Sequence, residues 1–452
     1  MSIAAGGVAS VNQGFFQSSG NFSNAGYFQI LSNAGASFGG VGTTFSNTGT
    51  LDVAGSGSTT INSAVTQHSG STLTAGTWNV FGGASLSITT GATILTNQAN
   101  ILLHGTGSFN AVDSLQNNDG NLTISDGKTL TLAGSLSNSA SLTVGPDSRL
   151  DIGGGLTNTG TLTGTSISPV TTNPGNAPTL NCGGDLVQSG TFVFDGTVTA
   201  NGSATFSGTH TWAPGAVFNA GSGTTAFASS AGANLTVNAS AGTVQFASAQ
   251  TLGGFNLSGT AAAVMAANGN QFLHVYGLTI GANAGLNLND NDLIVEYGTN
   301  PSAYGDVRAL VLGGFGGTTG INSGTSNGTQ ILALFDNALL GATEWLGEPV
   351  GVNSVIGKYT YMGDVNLDGQ VTGDDYTVID SNLDTTPVVG MEWLSGDSNL
   401  DGSVTGDDYT VIDSNLGSGD GNPLSPASTF SNTTIGQERE EDSASLAVEM
   451  GL

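Results

Sequence analysis

The sequence is poor in positive charge. Its 452 residues contain 5 Lys and Arg against 33 Asp and Glu, which gives a formal net charge of −28 at pH 7. Binding to nucleic acid or to an anionic membrane surface requires clusters of Lys and Arg that pair with phosphate. We therefore expect no nucleic-acid partner, and such an acidic chain suits cation binding instead.

Cysteine and long apolar runs are also scarce. Cys182 is the only cysteine, so no disulfide can form within the chain. No apolar stretch reaches the ~20 residues of a membrane helix, so the sequence predicts no membrane span. Residues 1–6 lack the basic and apolar regions of a signal peptide, so export would use a signal that was removed, lies upstream or is of another kind.

Glycine is abundant, with 72 residues, and one short phrase recurs in the first third of the chain. The phrase occurs as FSNAGYFQI (22–30), FSNTGTLDV (45–53), LSNSASLTV (136–144) and LTNTGTL (156–162). Asn118, Asn138 and Asn158 are spaced 20 residues apart. Repeats of this period are typical of solenoids, in which each coil buries its apolar face against the next.

The repeats predict a mainly β chain. Alternating apolar residues indicate short strands with one face inward, and the Asn-x-Gly positions suit the corners between them. We predict parallel β-helix or β-solenoid repeats with Asn ladders at the corners, and a β-sandwich is the alternative. A small α-helical module with two loops is predicted to follow the repeats.

The composition divides the chain into six segments. They are β-solenoid repeats at 1–163, a proline-containing loop or linker at 164–180, a second β-solenoid segment at 181–298, a mixed cap or connector at 299–362, a duplicated acidic segment at 363–420 and a tail at 421–452. Apolar residues at helical spacing predict short helices around 302–313 and 329–346, for example Ile331, Leu334, Phe335 and Leu339. The tail mixes Ser, Pro, Gly and a charged run, and it is predicted to be disordered.

The duplicated acidic segment carries the clearest chemistry. GDVNLDGQVTGDDYTVIDSNL (363–383) and GDSNLDGSVTGDDYTVIDSNL (396–416) match at 19 of 21 positions. Each copy has oxygen-bearing residues at alternate loop positions, glycine at position 6 and a carboxylate at position 12, which is a calcium-loop pattern. We expect two calcium ions, one in each loop.

The predicted ligands follow from the loop positions. In the first loop they are Asp364, Asn366, Asp368, the main-chain carbonyl of Gln370, Thr372 directly or through water, and Asp375. In the second loop they are Asp397, Asn399, Asp401, Ser403, Thr405 and Asp408, with Ser403 and Thr405 in the supporting roles. Gly369 and Gly402 are expected to allow the sharp turn. The apolar stripes of the two following helices are expected to pack together as a two-fold pair.

This segment resembles a type I dockerin, in which two calcium loops are each followed by one helix. The resemblance implies binding to a cohesin-like scaffold protein. Loop positions 10 and 11 help dockerins to recognise the cohesin, which places Gly373, Asp374, Gly406 and Asp407 at the partner-binding positions. Here these pairs are Gly-Asp, where dockerins have Ser/Thr-type pairs.

A second resemblance covers more of the chain. LNLNDNDLIVEYG (286–298), a glycine-rich spacer and KYTYMGDVNLDG (358–369) are similar to the ends of autotransporter-like repeat proteins exported by planctomycete-type bacteria. That resemblance implies a secreted or cell-surface location and no particular reaction.

The two resemblances and the composition together predict an extracellular structural or adhesive repeat protein that docks through its calcium-dependent module. The alternative is a polysaccharide-degradation-associated protein, a β-helix enzyme or carbohydrate-binding protein with a dockerin, whose partner would be a polysaccharide or surface glycan. For the module itself, the alternative is that calcium is a purely structural clasp. We predict no enzymatic activity. Lyase chemistry on acidic sugars needs basic groups, and only Lys128 and Arg149 precede residue 299. No Asp pair in residues 1–285 suggests a hydrolase.

Overall fold

The computed structural model describes residues 1–420 except 32, 57, 171–174 and 270. The tail at 421–452, predicted to be disordered, lies outside the described residues. The fold is mainly β, a parallel β-solenoid of about 14 turns over residues 2–295 followed by a mixed region with a few short helices. The prediction of a β-solenoid is confirmed, and the β-sandwich alternative is wrong because consecutive turns pair in parallel.

The chain forms two compact units, Met1–Asn238 and a second that begins at Ala239. In the first unit, one sheet contains Ser2–Ile3, Phe22–Asn24, Thr44–Asn47 and Ala64–Val65. A second contains Val8–Val11, Tyr27–Ile30, Thr50–Val53, Thr77–Val80, Asn100–His104, Asn121–Ser125, Ser141–Val144, Thr161–Gly164, Thr191–Phe194 and Thr209–Trp212. A third contains Ser108–Phe109, Ser85–Ile88, Ser58–Ile61, Ala34–Phe38 and Gly14–Ser18.

The other strands of this unit continue the same stacking. One series is His68–Ser69, Thr72–Leu73, Thr96–Asn97, Asn117–Asn118, Leu136–Asn138, Leu156–Asn158, Leu186–Gln188, Ala204–Phe206 and Thr224–Phe227. Another is Thr129–Leu132, Arg149–Ile152, Thr179–Cys182, Thr197–Ala200, Ala216–Ala220 and Gly232–Ala239, which ends at the boundary. A 3₁₀ turn occupies Asn110–Val112.

A ladder of buried amides lines one corner of this unit. The Nδ2 of Asn118 donates to Oδ1 of Asn138 at 2.6 Å, and the Nδ2 of Asn138 donates to Oδ1 of Asn158 at 2.6 Å. Asn97 precedes this run and Gln188 ends it, each joined by a side-chain hydrogen bond. The ladder predicted at the Asn corners is confirmed, and it satisfies amides that would otherwise be buried without partners.

The proline-containing segment separates two consecutive turns. Arg149–Ile152 pairs in parallel with Thr179–Cys182, and Leu156–Asn158 pairs with Leu186–Gln188. The described residues at 165–170 and 175–178 therefore form a loop between paired turns.

In the second unit, parallel strands run in the order Thr243–Phe246, Ala262–Met265, Gly285–Asn287 and Gly320–Asn322. A second sheet contains Gln250–Leu257, Phe272–Val275 and Asp292–Glu296, with Leu278–Ile280 paired to its first strand. Asp292–Glu296, called the edge strand below, pairs antiparallel with Ser354–Tyr361, which in turn pairs antiparallel with Gln330–Asp336. We call these last two strands the cap strands, because they cover the open side of the edge strand. A small hairpin joins Glu344–Trp345 to Glu348–Pro349.

The helices of the second unit are short. They are α1 (Tyr304–Gly314), α2 (Asn337–Leu340), α3 (Gly373–Asn382) and α4 (Gly406–Asn415), with a 3₁₀ turn at Trp393–Ser395. Within the described residues, none of the helices combines the length and apolar character needed to cross a bilayer.

The helix predicted around 302–313 is present as α1, but the helical prediction for 329–346 is wrong over most of its length. Ile331, Leu334 and Phe335 lie in the cap strand Gln330–Asp336, and only α2, which contains Leu339, is helical. Six of the seven residues of this strand are buried. A short apolar run buried on both faces has no period by which sequence could separate strand from helix.

Candidate metal centre

Each duplicated loop leads directly into a helix. Thr372 and Thr405 are the N-caps of α3 and α4, and Asp375 and Asp408 complete a capping box by accepting the main-chain N–H of that threonine. Predicted ligand positions 9 and 12 therefore also fix the start of each helix. The duplicated sequence folds in the same way twice because the same caps and glycines occur in both copies.

The first loop wraps around its carboxylates. Asp364 accepts the main-chain N–H of Asp368 at 3.0 Å and that of Gly369 at 3.1 Å. Asp375 accepts the N–H of Val365 at 2.9 Å on one oxygen and that of Thr372 at 2.9 Å on the other. The main chain therefore holds both carboxylates toward the inside of one loop.

The other side-chain oxygens of the first loop also accept main-chain N–H groups. Asn366 accepts the N–H of Asp368 at 2.9 Å, and Asp368 accepts the N–H of Gln370 at 2.9 Å. The amide of Asn366 also donates to Asp368 at 3.3 Å. Four of the six predicted positions of this loop, those of Asp364, Asn366, Asp368 and Asp375, are therefore held by hydrogen bonds to its main chain.

The second loop repeats the arrangement. Asp397 accepts the N–H groups of Asp401 at 2.9 Å and Gly402 at 2.7 Å. Asp408 accepts the N–H groups of Ser398 at 2.8 Å and Thr405 at 2.9 Å. The other predicted positions follow the first loop, because Asn399 accepts from Asp401 at 2.8 Å and Asp401 accepts from Ser403 at 3.0 Å.

The sharp turns depend on left-handed residues. Gly369 has φ of 85° and Gly402 has φ of 102°, as the glycine at position 6 predicts. Leu367 and Leu400, two positions earlier in each loop, also have positive φ, of 61° and 57°. The left-handed conformation of a leucine costs roughly 1–2 kcal/mol of conformational free energy. Each loop therefore stores backbone strain at this leucine, which no sequence pattern predicts.

The two loops bury several carboxylates, and neither loop contains a basic residue of its own. Asp364 is fully buried, and burial together with the carboxylates of Asp375 and Asp368 raises its pKa to about 7. Burial likewise raises the pKa of Asp375 to about 6 and that of Asp397 to about 6, and it raises the pKa of Asp408. Residues 363–420 contain no Lys, Arg or His. Such a set of buried carboxylates favours a bound cation, because each carboxylate is destabilised by burial and by its neighbours.

The oxygen set fits a hard cation of the calcium type only if carboxylates and neutral oxygens act together. In the part of the chain that the structure describes, no three His, Cys, Asp or Glu side chains are placed to hold a metal ion by themselves. A site in the first loop would therefore need Asn366, Thr372 and the Gln370 carbonyl beside its aspartates. Calcium accepts such mixed sets of six to eight oxygens.

The two loops pack as a symmetric pair. Val371, Ile379, Val404 and Ile412 form a buried cluster, against which Tyr361, Tyr376 and Tyr409 pack. The main chain of Val371 bonds to residues 417 and 418, while that of Val404 bonds to residues 384 and 385. Each loop is therefore paired with the segment that follows the other helix. The two-fold pair predicted from the apolar stripes is present, although Leu383 and Leu416 are exposed rather than part of it.

Close approach and polar contacts complete the symmetry. A Cβ at Gly363 would lie 3.2 Å from Cα of Ile412, and one at Gly396 would lie 3.1 Å from Cα of Ile379. The rings of Tyr376 and Tyr409 stack with centroids 6.0 Å apart. Each tyrosine hydroxyl donates to an aspartate on the other helix: that of Tyr376 to Asp413 and that of Tyr409 to Asp380.

The four predicted partner-binding residues lie at the first turns of the two helices. Gly373 and Asp374 begin α3, Gly406 and Asp407 begin α4, and all four are exposed. Asp407 accepts from the Thr405 hydroxyl and from the Asn399 amide. Nothing in this geometry selects a particular partner.

Three residues that the sequence did not single out contact the loops. The indole of the fully buried Trp393 donates to the carbonyl of Asp364 at 2.9 Å, and the Thr360 hydroxyl donates to the carboxylate of Asp364. Arg308, in α1, donates through Nη2 to the carbonyl of Leu400 in the second loop. Arg308 is distant in sequence, and its contact carries no local pattern by which it could be found.

Comparison with known proteins adds no relative. No family model matches the chain, and neither a curated protein nor a solved structure matches it significantly. The resemblances to dockerins and to autotransporter-like proteins therefore have no family match behind them. The chain is a β-solenoid repeat protein.

Proposed function

We propose that the chain is an extracellular or cell-surface structural and adhesive protein. Its C-terminal module would bind two calcium ions and dock to a cohesin-like scaffold. The observation that carries the proposal is the pair of matching loops, each with buried carboxylates at positions 1 and 12 and no basic residue within 363–420.

Calcium would supply the positive charge that these loops lack. The residues that would hold it are Asp364, Asn366, Asp368, Gln370, Thr372 and Asp375 in the first loop, and Asp397, Asn399, Asp401, Ser403, Thr405 and Asp408 in the second. The main-chain N–H groups already orient both oxygens of Asp364 and Asp375. Oδ1 of Asp364 and Oδ2 of Asp375 each accept one hydrogen bond and so retain a second lone pair for a cation. Oδ2 of Asp364 also accepts from Thr360, and Oδ1 of Asp375 also accepts from Asn366.

Docking is supported by the placement of the other loop residues. Gly373, Asp374, Gly406 and Asp407 are exposed, and the duplication presents the same pair twice on the symmetric module. None of the four is a predicted ligand, although Asp407 accepts hydrogen bonds from two predicted ligands, Thr405 and Asn399. The low content of basic residues and the acidic surface agree with an exterior where calcium is plentiful.

Calorimetric titration of the full chain with calcium tests the metal site. We expect about two ions per chain, and we expect the double variant Asp368→Asn, Asp401→Asn to lose most of the heat, because it removes a charged ligand from each loop. Asp374→Asn is the control for the single variant Asp368→Asn, since it makes the same charge change at an exposed position of the same loop. Equal binding by these two single variants would contradict the assigned ligands.

Binding to a purified cohesin module tests docking. We expect capture of the full chain in calcium and its loss in EDTA. We also expect the variant Asp374→Asn to bind calcium normally while its cohesin affinity falls. Calcium binding without any calcium-dependent capture would leave the metal site standing and refute this partner.

A further inference from the structure

The two loops are hydrogen-bonded to other elements of the second unit. Asp364 lies three residues beyond the cap strand Ser354–Tyr361, and its N–H donates to the carbonyl of Tyr361 at 3.1 Å. The hydroxyl of Thr360, inside that strand, donates to the Asp364 carboxylate. The first ligand of the first loop is thus bonded to the cap strand itself.

The second loop is tied to a different element. Nη2 of Arg308 in α1 donates to the Leu400 carbonyl, which lies between the predicted ligands Asn399 and Asp401. A Cβ at Gly402 would be 3.7 Å from the same nitrogen, so the guanidinium lies against the turn of the loop. Arg308 therefore places a positive charge beside an otherwise acidic loop and joins it to α1.

The segment between the two loops makes a third attachment. The N–H of Asp336, at the end of the cap strand Gln330–Asp336, donates to the carbonyl of Gly390 at 2.8 Å. A Cβ at Gly390 would lie 2.6 Å from Cβ of Asp336, so the two chains touch closely. The same cap strand contacts the 3₁₀ turn Trp393–Ser395, whose indole bonds to Asp364.

These attachments give the loops a mechanical role. The cap strands cover the edge strand Asp292–Glu296, which would otherwise present unpaired N–H and C=O groups to other chains. One contact joins the cap strand Ser354–Tyr361 to the first loop, and a second joins α1 to the second loop. A third joins the cap strand Gln330–Asp336 to the segment between the loops. Ordering the loops should therefore stabilise the pairing of the cap strands with the edge strand. Because such coupling is reciprocal, this pairing should also stabilise the ordered loops.

We propose that the two loops are a calcium-dependent lock on the cap, so that calcium occupancy controls how firmly the edge strand is covered. The inference rests on the proposed calcium site, and it gives that site a regulatory role in addition to docking. In the metal-free chain the carboxylates of each loop repel one another, which loosens the loops and the cap strands attached to them. In calcium the cap closes.

Hydrogen exchange of the full chain in excess calcium and in EDTA tests the lock. We expect calcium to slow exchange by about tenfold or more at 304–314, 330–336 and 354–361 as well as at 363–420. The double variant Arg308→Gln, Thr360→Val should still bind two ions, while the slowing at 304–314, 330–336 and 354–361 is reduced. Some slowing should remain, because the contact between Asp336 and Gly390 is retained. Each single variant removes one contact and should lose part of the effect. Arg149→Gln, an exposed arginine paired with Asp151, is the matched control.

The outcomes separate the lock from the metal site. Calcium binding with slowed exchange only at 363–420 in the unaltered chain would overturn the lock and leave the calcium site intact. Undiminished slowing of the cap strands in the double variant would overturn the assigned contacts. A chain that binds no calcium would overturn the proposed function and the lock together.

Discussion

The metal-free module should lose stability as the pH rises toward neutral. Asp364 is fully buried, and its pKa is raised from 3.8 to about 7 by burial and by neighbouring carboxylates. The folded module therefore binds more protons than the unfolded chain between these two values. The sign follows from linkage: the unfolding free energy falls as the pH rises through this window, and it is lowest above the folded-state pKa.

The size of this effect follows from the shift. A difference of about three pKa units corresponds to roughly 4 kcal/mol of unfolding free energy for Asp364 alone. Asp375 and Asp397 act in the same direction, with pKa values raised to about 6, but the charges interact and the contributions do not add. Bound calcium should abolish the fall, because it stabilises the ionised carboxylates that are otherwise penalised.

Native-state hydrogen exchange at 363–420, corrected for intrinsic rates, measures this free energy in EDTA and in calcium. Asp364→Asn should reduce the slope of the pH dependence in EDTA, because one titrating group is gone while Asp375 and Asp397 still contribute. Asp374→Asn, an exposed position in the same loop, should leave it unchanged. The reasoning is refuted if protection in EDTA rises between pH 4 and pH 7, or if Asp364→Asn retains the slope of the unaltered chain.

The remaining predictions concern packing. Asn138→Ala removes four side-chain hydrogen bonds, to Asn118, Asn158 and the carbonyls of Ala140 and Thr161. It should lower the unfolding free energy by about 3 kcal/mol in denaturant titration. The exposed substitution Asn121→Ala is its control, and an equal loss would contradict the ladder's role. Gly363→Ala should lower the unfolding free energy by about 2 kcal/mol. Gly363 has a positive φ, and a Cβ at this position would press on the backbone of Ile412. Gly373→Ala, which meets nothing within 4 Å, should cost nothing, and calorimetry separates the two.

The solenoid was predictable because its signal is local and repeated. Alternating apolar residues and Asn corners recur in every phrase such as FSNTGTLDV, and the strands Thr44–Asn47 and Thr50–Val53 form where the phrase places them. Burial of both faces removed that signal in the cap strand Gln330–Asp336, which sequence reasoning misread as helix. The period of the pattern, rather than its hydrophobicity, carried the successful predictions.

The site divides along the same line. Each loop contains its ligand positions, its glycine and its threonine cap within twelve consecutive residues. The loop geometry could therefore be predicted from the sequence. The contacts of Arg308 and Trp393 depend on how distant segments meet, and no local pattern announces them. What occupies the loops, and which partner the module meets, remain predictions.

The most direct test of the account is a crystal structure of the full chain grown in calcium, with anomalous difference maps to locate the metal. We expect one anomalous peak in each loop, surrounded by oxygens at about 2.3–2.6 Å. Those oxygens should belong to Asp364, Asp368 and Asp375 with their neutral partners, and to the matching residues of the second loop. Loops without a peak, in which the carboxylates bond only to main-chain N–H groups, would contradict it.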